Sequence, residues 1–223
     1  MSAGTRGWAL LLAVIGALAV SRASRAQDAA AITREGNGKG APACVTCHGA
    51  DGGGQAAAGY PRLAGVDPAY LQAQLDAFAT GTRDNPVMAP IASALDEDER
   101  AALARYYGAL SPPAALAEPR ATEPAADSAG AVLATRGDWS RGVPGCVQCH
   151  GPDGVGVGAS FPPLAGQPAS YIEAQLRAWQ QGTRRNDPLE LMQHVSKALS
   201  AKDIAAVAAW FAAQPLPSAG GKP

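Results

Sequence analysis

The sequence predicts an all-α protein built from two similar lobes in tandem. Three observations lead to that expectation. Self-comparison shows an offset of about 101 to 104 residues along most of the chain, the mark of an internal repeat. In each copy apolar residues recur at i, i+4 and i+7, which places them on one buried helix face. No segment alternates apolar and polar residues as a half-buried strand would.

The repeat is legible residue by residue. Thr33-Arg34 recurs as Thr135-Arg136, and Tyr60-Pro61-Arg62-Leu63-Ala64-Gly65 returns as Phe161-Pro162-Pro163-Leu164-Ala165-Gly166. Tyr70, Gln74, Leu75, Gly81, Thr82 and Arg83 return as Tyr171, Gln175, Leu176, Gly182, Thr183 and Arg184.

Taken in order, residues 1–26 read as an export signal. Arg6 supplies a positive start, Trp8 to Val20 is an uncharged apolar run, and Ser24 and Ala26 are small residues suited to cleavage before Gln27. The run is shorter than the ~20 residues a membrane span needs. The first lobe is expected over 27–110 and the second over 129–215. Between them 111–128 is a Pro/Ala-rich linker stiffened by Pro112, Pro113, Pro119 and Pro124. Residues 216–223 form a tail.

Each lobe should open with a short helix, around Ala29 to Glu35 and Ala129 to Arg136. After a Gly-rich loop, a helix begins at Pro68 or Pro168, where proline suits the first turn, and stops near Gly81 or Gly182. Its apolar faces are Leu71, Leu75, Phe78 and Ile172, Leu176, Trp179. The last helix of each lobe follows a capping signal, Asp96-x-x-Glu99 or Ser200-x-x-Asp203. It carries Leu103, Tyr106, Tyr107, Leu110 or Ile204, Val207, Trp210, Phe211. Aromatics make up only 5% of the chain, so two cores lack bulky filling that a large apolar cofactor would supply.

The four cysteines say which cofactor. They occur as Cys44-Val45-Thr46-Cys47-His48 and Cys146-Val147-Gln148-Cys149-His150, and C-x-x-C-H is the attachment motif for c-type haem. Two thiols three residues apart lie on one side of a helical turn and reach both haem vinyl groups, while the adjacent histidine offers its imidazole to the iron. Structural zinc would need four ligands together, thioredoxin-like chemistry a βαβ context, and plain disulfides leave the histidines unexplained. Two covalently bound haem c groups are expected.

Beyond the export signal the chain has two methionines, Met88 and Met192, at matching positions 40 and 42 residues after His48 and His150. Both are expected as distal iron ligands; such His/Met ligation raises the reduction potential and closes the iron. His194, two residues past Met192, is a competing ligand for the second iron. Lys39, Arg141, Arg83 and Arg184 read either as solvated charges or as partners for haem carboxylates. Tyr60 and Phe161 are expected in the apolar haem wall. Trp139, Trp179 and Trp210, all in the second copy, should fill that lobe differently.

With C-x-x-C-H-G, a P-x-L-A-G segment and a late methionine in each copy, the chain resembles the dihaem cytochrome c-four family from about Ala29 to Pro215. That resemblance implies two tandem class I cytochrome c domains, each wrapped around one covalent haem, with the haems near one another. It also implies an electron shuttle of the bacterial periplasm, free or peripherally membrane-associated, whose partners are redox proteins such as a respiratory complex or terminal oxidase.

Composition narrows the alternatives. Cleavage before Gln27 removes Arg6, Arg22 and Arg25 from the 18 basic side chains, leaving 15 against 19 acidic ones and a net charge of −4, which does not suit nucleic acid. An electron-transfer protein, not an enzyme, is the leading expectation. The alternatives are a cytochrome subunit of a dehydrogenase or oxidase complex, and a dihaem redox enzyme with an open second haem.

Overall fold

In the computed structural model the described residues are 29–114 and 125–216. The expected export signal, residues 115–124 of the expected linker and the expected tail beyond 216 lie outside them.

The first lobe runs α1 (helical through 29–35), α2 (Val45–His48), α3 (Pro68–Ala79), α4 (Met88–Ser93) and α5 (Glu97–Ala109). The second repeats it as α6 (Ala129–Thr135), α7 (Val147–His150), α8 (Ala169–Gln181), α9 (Leu191–Lys197) and α10 (Ala201–Ala213). The expected starts and stops hold. Pro68 is the first residue of α3, below Asp67, whose carboxylate accepts from the Ala69 and Tyr70 amides; Pro168 sits one place earlier, at the cap of α8. Both reciprocal capping boxes form, Asp96 with Glu99 and Ser200 with Asp203, each satisfying two otherwise unpaired amides.

Two features depart from the sequence reading. The methionine segments, for which the sequence predicted no helix, are the short helices α4 and α9; six or seven residues are too few to display a helical period. Before the second attachment motif, β1 (Gly137–Asp138) pairs antiparallel with β2 (Val143–Pro144) around a turn at Trp139–Arg141. Two-residue strands have no alternation to read.

In each lobe the helices pack by their apolar faces. In the second, α10 packs on α6 and α8, and α8 on α9, around Ile172, Leu176, Ile204, Val207, Trp210 and Phe211. The first lobe has two smaller clusters, one centred on Ile32, Leu95 and Leu103 and one on Val66, Leu71 and Tyr107. Gly52 and Gly154 show why the repeat keeps glycine after each motif. Each has positive φ, and a Cβ there would strike the ring of Tyr107 or Phe211. Trp179 and Trp210 are buried as expected, but Trp139 is 66% exposed and fills nothing.

The lobes meet across an approximate two-fold relation. Arg83 and Arg184 face each other in an antiparallel bridge. Around it the Asp84 amide donates to the Thr183 carbonyl (2.8 Å) and the Arg185 amide to the Thr82 carbonyl (2.7 Å). Nearby, the Arg62 guanidinium donates to the carbonyls of Ala64 and Ala165, which are equivalent positions of the repeat. One side chain bonded to both therefore lies on the symmetry axis, where only one copy fits; the matching residue is Pro163. Gln167 completes this junction: its Oε1 accepts from the Arg62 amide and its Nε2 donates to the Arg62 carbonyl, both at 3.0 Å.

Candidate functional site

Each attachment motif forms one helical turn. His48 and His150 amides donate to the carbonyls of Cys44 and Cys146 (3.0 and 2.9 Å), so the two thiols and the imidazole project from one short element. All four cysteines are half-buried, and no two of them are joined by a disulfide. Among the described residues no group of three His, Cys, Asp or Glu side chains is placed to hold a metal, against the zinc alternative.

Both imidazoles are buried. His48 Nδ1 lies 3.0 Å from the Pro61 carbonyl and His150 Nδ1 2.7 Å from the Pro162 carbonyl. A carbonyl only accepts, so Nδ1 carries the proton and Nε2 keeps its lone pair. Burial holds both imidazoles below their ordinary range, in the neutral form; at His150 the nearby Arg184 charge adds to the effect. This is the arrangement that orients a metal-binding histidine, and the donor set fits a haem iron. The role of the Pro61 and Pro162 carbonyls was not legible in the sequence, because a backbone acceptor has no residue signature. Tyr60 and Phe161 stand beside the imidazoles, ring centroids 6.3 and 6.0 Å away.

Met88 opens α4 and Met192 is the second residue of α9. Each backbone amide donates to a side chain a few residues upstream: Met88 to Asn85 Oδ1 (2.9 Å), Met192 to Asp187 Oδ2 (2.6 Å). The extra residues of the second copy are taken up at Glu190, in the left-handed region with φ 53°, and by Leu189, 86% exposed. Met192 packs against the lobe core, whereas His194 is exposed, with Nε2 beside Gly142.

The four cations divide. Lys39 and Arg141 are exposed and tie the loop before each motif to the last helix of the lobe, Lys39 to Glu99 (3.2 Å) and Arg141 to Asp203 (2.8 Å). Arg83 and Arg184 are only 5% and 7% exposed, which removes the solvated reading. Arg83 donates to Gln74 (3.0 Å), Gln175 (2.6 Å) and Tyr171 (2.9 Å). Arg184 donates to Gln175 (3.1 Å), Gln74 (2.9 Å) and Tyr70 (3.1 Å). The repeated Tyr-x-x-x-Gln was the signal for this cluster, polar residues on otherwise buried helices.

Comparison with known proteins agrees with this architecture. Residues 37–111 match the cytochrome c family, and residues 130–211 match the family described as cytochrome C oxidase, cbb3-type, subunit III. Two helical lobes, each with a C-x-x-C-H turn, define a dihaem c-type cytochrome, an electron-transfer protein carrying two covalent haem c groups on Cys44/Cys47 and Cys146/Cys149. The chain belongs to the cytochrome c4 family. It is 36% identical to cytochrome c4 of Pseudomonas aeruginosa, over 77% of this chain and 83% of that one. It is 52% identical to the thiosulfate dehydrogenase electron acceptor of Stutzerimonas stutzeri, over 90% of this chain and 93% of that one. Among solved structures, Acidithiobacillus ferrooxidans cytochrome c4 aligns with TM-score 0.66 and 35% identity, over 76% of this chain and 98% of that one. The thiosulfate dehydrogenase (TsdBA) of Marichromatium purpuratum aligns with TM-score 0.77 and 46% identity, over 87% of this chain but 41% of that longer one.

Proposed function

We propose that the chain accepts electrons from a thiosulfate-oxidising enzyme and passes them on in the periplasm, one per haem. In this reading the lobes are residues 27–110 and 129–215, joined by 111–128, and the iron ligands are His48 with Met88 and His150 with Met192. One observation carries the closed, six-coordinate design. In both lobes a methionine lies in the first turn of a short helix with its amide bonded to an upstream side chain, and the attachment-motif histidine of the same lobe keeps a free Nε2. His194 stands two residues, about 200°, around the helix from Met192, which supports Met192 as the ligand. A closed His/Met iron has no position for substrate and a raised potential, as an acceptor requires.

The partner is supported by the 52% identity to a protein named for accepting electrons from thiosulfate dehydrogenase. Periplasmic location is supported by the kinship with cytochrome c4 and by the export signal expected in 1–26. A fixed partnership is the second reading. It is favoured by the Marichromatium chain, in which a segment like this one belongs to a longer thiosulfate dehydrogenase.

Two measurements test this. Carbon monoxide added to the ferrous protein should leave the spectrum unchanged; binding at either haem refutes the closed irons. Stopped-flow mixing with a thiosulfate dehydrogenase and thiosulfate should reduce both haems, and no reduction removes that enzyme as donor.

A further inference from the structure

The two lobes differ by one oxygen atom at each of two equivalent places beside the attachment motif. Tyr107 on α5 and Phe211 on α10 are one such pair: each ring lies against the glycine that follows its motif, Gly52 or Gly154. Tyr60 and Phe161 are the other, each ring standing beside the attachment histidine of its own lobe. The first lobe carries a phenol at both places and the second a plain phenyl ring.

Tyr107 is the more deeply placed of the two phenols. It is 4% exposed, and Cys44 packs against the core cluster to which it belongs. Among the described residues its buried Oη has no partner at full hydrogen-bond geometry. The side chains facing it are Cys44 and Thr33, and the Thr33 hydroxyl already donates its own proton to the Ala29 carbonyl (2.7 Å). A buried hydroxyl left unsatisfied is costly, so this proton calls for an acceptor. Burial pushes the phenol well above its ordinary range, which keeps the proton on the oxygen, ready to be shared.

We propose that Tyr107 raises the reduction potential of the first haem by directing its hydroxyl at the Cys44 sulfur, a device absent from the second lobe, where Phe211 has no hydroxyl. Once the haem is attached, that sulfur is a thioether joined to the macrocycle through a single carbon. Reduction adds one electron to the haem and makes or breaks no bond. The oxidised haem holds one more positive charge, which the positive end of the O–H dipole disfavours. In an interior without water that dipole acts with little screening. Tyr60 adds the same effect more weakly: its hydroxyl lies beside Cys47, but its ring is only half-buried and water damps the dipole. The inference rests on haem attachment at Cys44, so carbon monoxide binding or a failed reaction with thiosulfate dehydrogenase would leave it standing.

The test is a redox titration of holoprotein carrying Tyr107→Phe, which keeps the ring against Gly52 and removes only the hydroxyl. Haem-methyl NMR resonances report each midpoint, assigned by through-space contacts to each lobe's own C-x-x-C-H residues. The midpoint of the haem on Cys44 and Cys47 should fall while that of the haem on Cys146 and Cys149 holds. The expected size is a ~2- to 10-fold change in the reduction equilibrium, up to about 59 mV for one electron. No shift, which would mean that the hydroxyl serves Thr33 instead, overturns the proposal. So does a rise, or an equal fall at both haems. Tyr60→Phe gives an independent reading: it should lower the same midpoint by less, and a larger fall than that of Tyr107→Phe overturns the assignment to the buried hydroxyl.

Discussion

Gln167 offers the sharpest test of how the lobes are joined. It is buried, and its amide makes two bonds of 3.0 Å to the backbone of Arg62 in the other lobe. Gln167→Leu keeps most of the volume but strands the Arg62 N–H and C=O together, away from water. Each stranded buried group costs about 1–3 kcal/mol, so the junction should weaken by roughly 2–6 kcal/mol. At about 2–4 °C per kcal/mol for a chain this long, the first melting transition should fall by roughly 5–20 °C. Calorimetry of the holoprotein should then resolve two transitions in place of one, as the lobes part before they unfold. Gln167→Glu keeps the acceptor and loses the donor, so it should fall between the two. A melt for Gln167→Leu within ~0.5 kcal/mol of the parent, the range of inert surface changes, would refute the assignment of the junction to this amide.

The proposed distal ligands separate under mutation. Met88→Ala or Met192→Ala should abolish the methionine-to-iron charge-transfer band of one ferric haem and open that iron to carbon monoxide, whereas His194→Ala should change neither; a ligand-field change in the histidine variant would reverse the assignment. Gly154→Ala forces a Cβ against Phe211 at φ +78 and should cost about 1–3 kcal/mol. Gly158→Ala, at φ +55 with no atom near the new methyl, should cost less in the same denaturant titration; equal costs would remove the packing explanation. At Asp203 burial pushes the carboxyl up, but hydrogen bonds from Arg141 and Ser200 outweigh it and hold the pKa below 3.8. The folded state therefore binds fewer protons than the unfolded one just below pH 4, so this stability is full above that pH and is lost as pH falls through the folded pKa. Asp203→Asn should flatten that part of the acid-unfolding curve, and an unchanged slope would show the group contributes nothing.

Much of the protein was legible in the chain alone, for a local reason. Covalent haem attachment needs two thiols and a histidine within one helical turn, so its chemistry is written in five adjacent residues, twice. Helix starts were equally plain, because capping at Asp96 and Ser200 is a matter of residues three apart. The repeat then carried each reading from one lobe to the other. The methionine helices were missed because they are shorter than the period that would announce them.

What only the tertiary structure decided depends on distance in sequence. The acceptors of His48 and His150 are backbone carbonyls 13 and 12 residues away, and any residue type carries such a carbonyl. Whether Arg83 and Arg184 were surface charges or buried ones turned on the packing of one lobe against the other, since their partners Tyr171 and Tyr70 lie 88 and 114 residues off. Nothing in the sequence explained why Arg62 of one copy is Pro163 in the other. In three dimensions it follows from symmetry, because two side chains cannot occupy one axis.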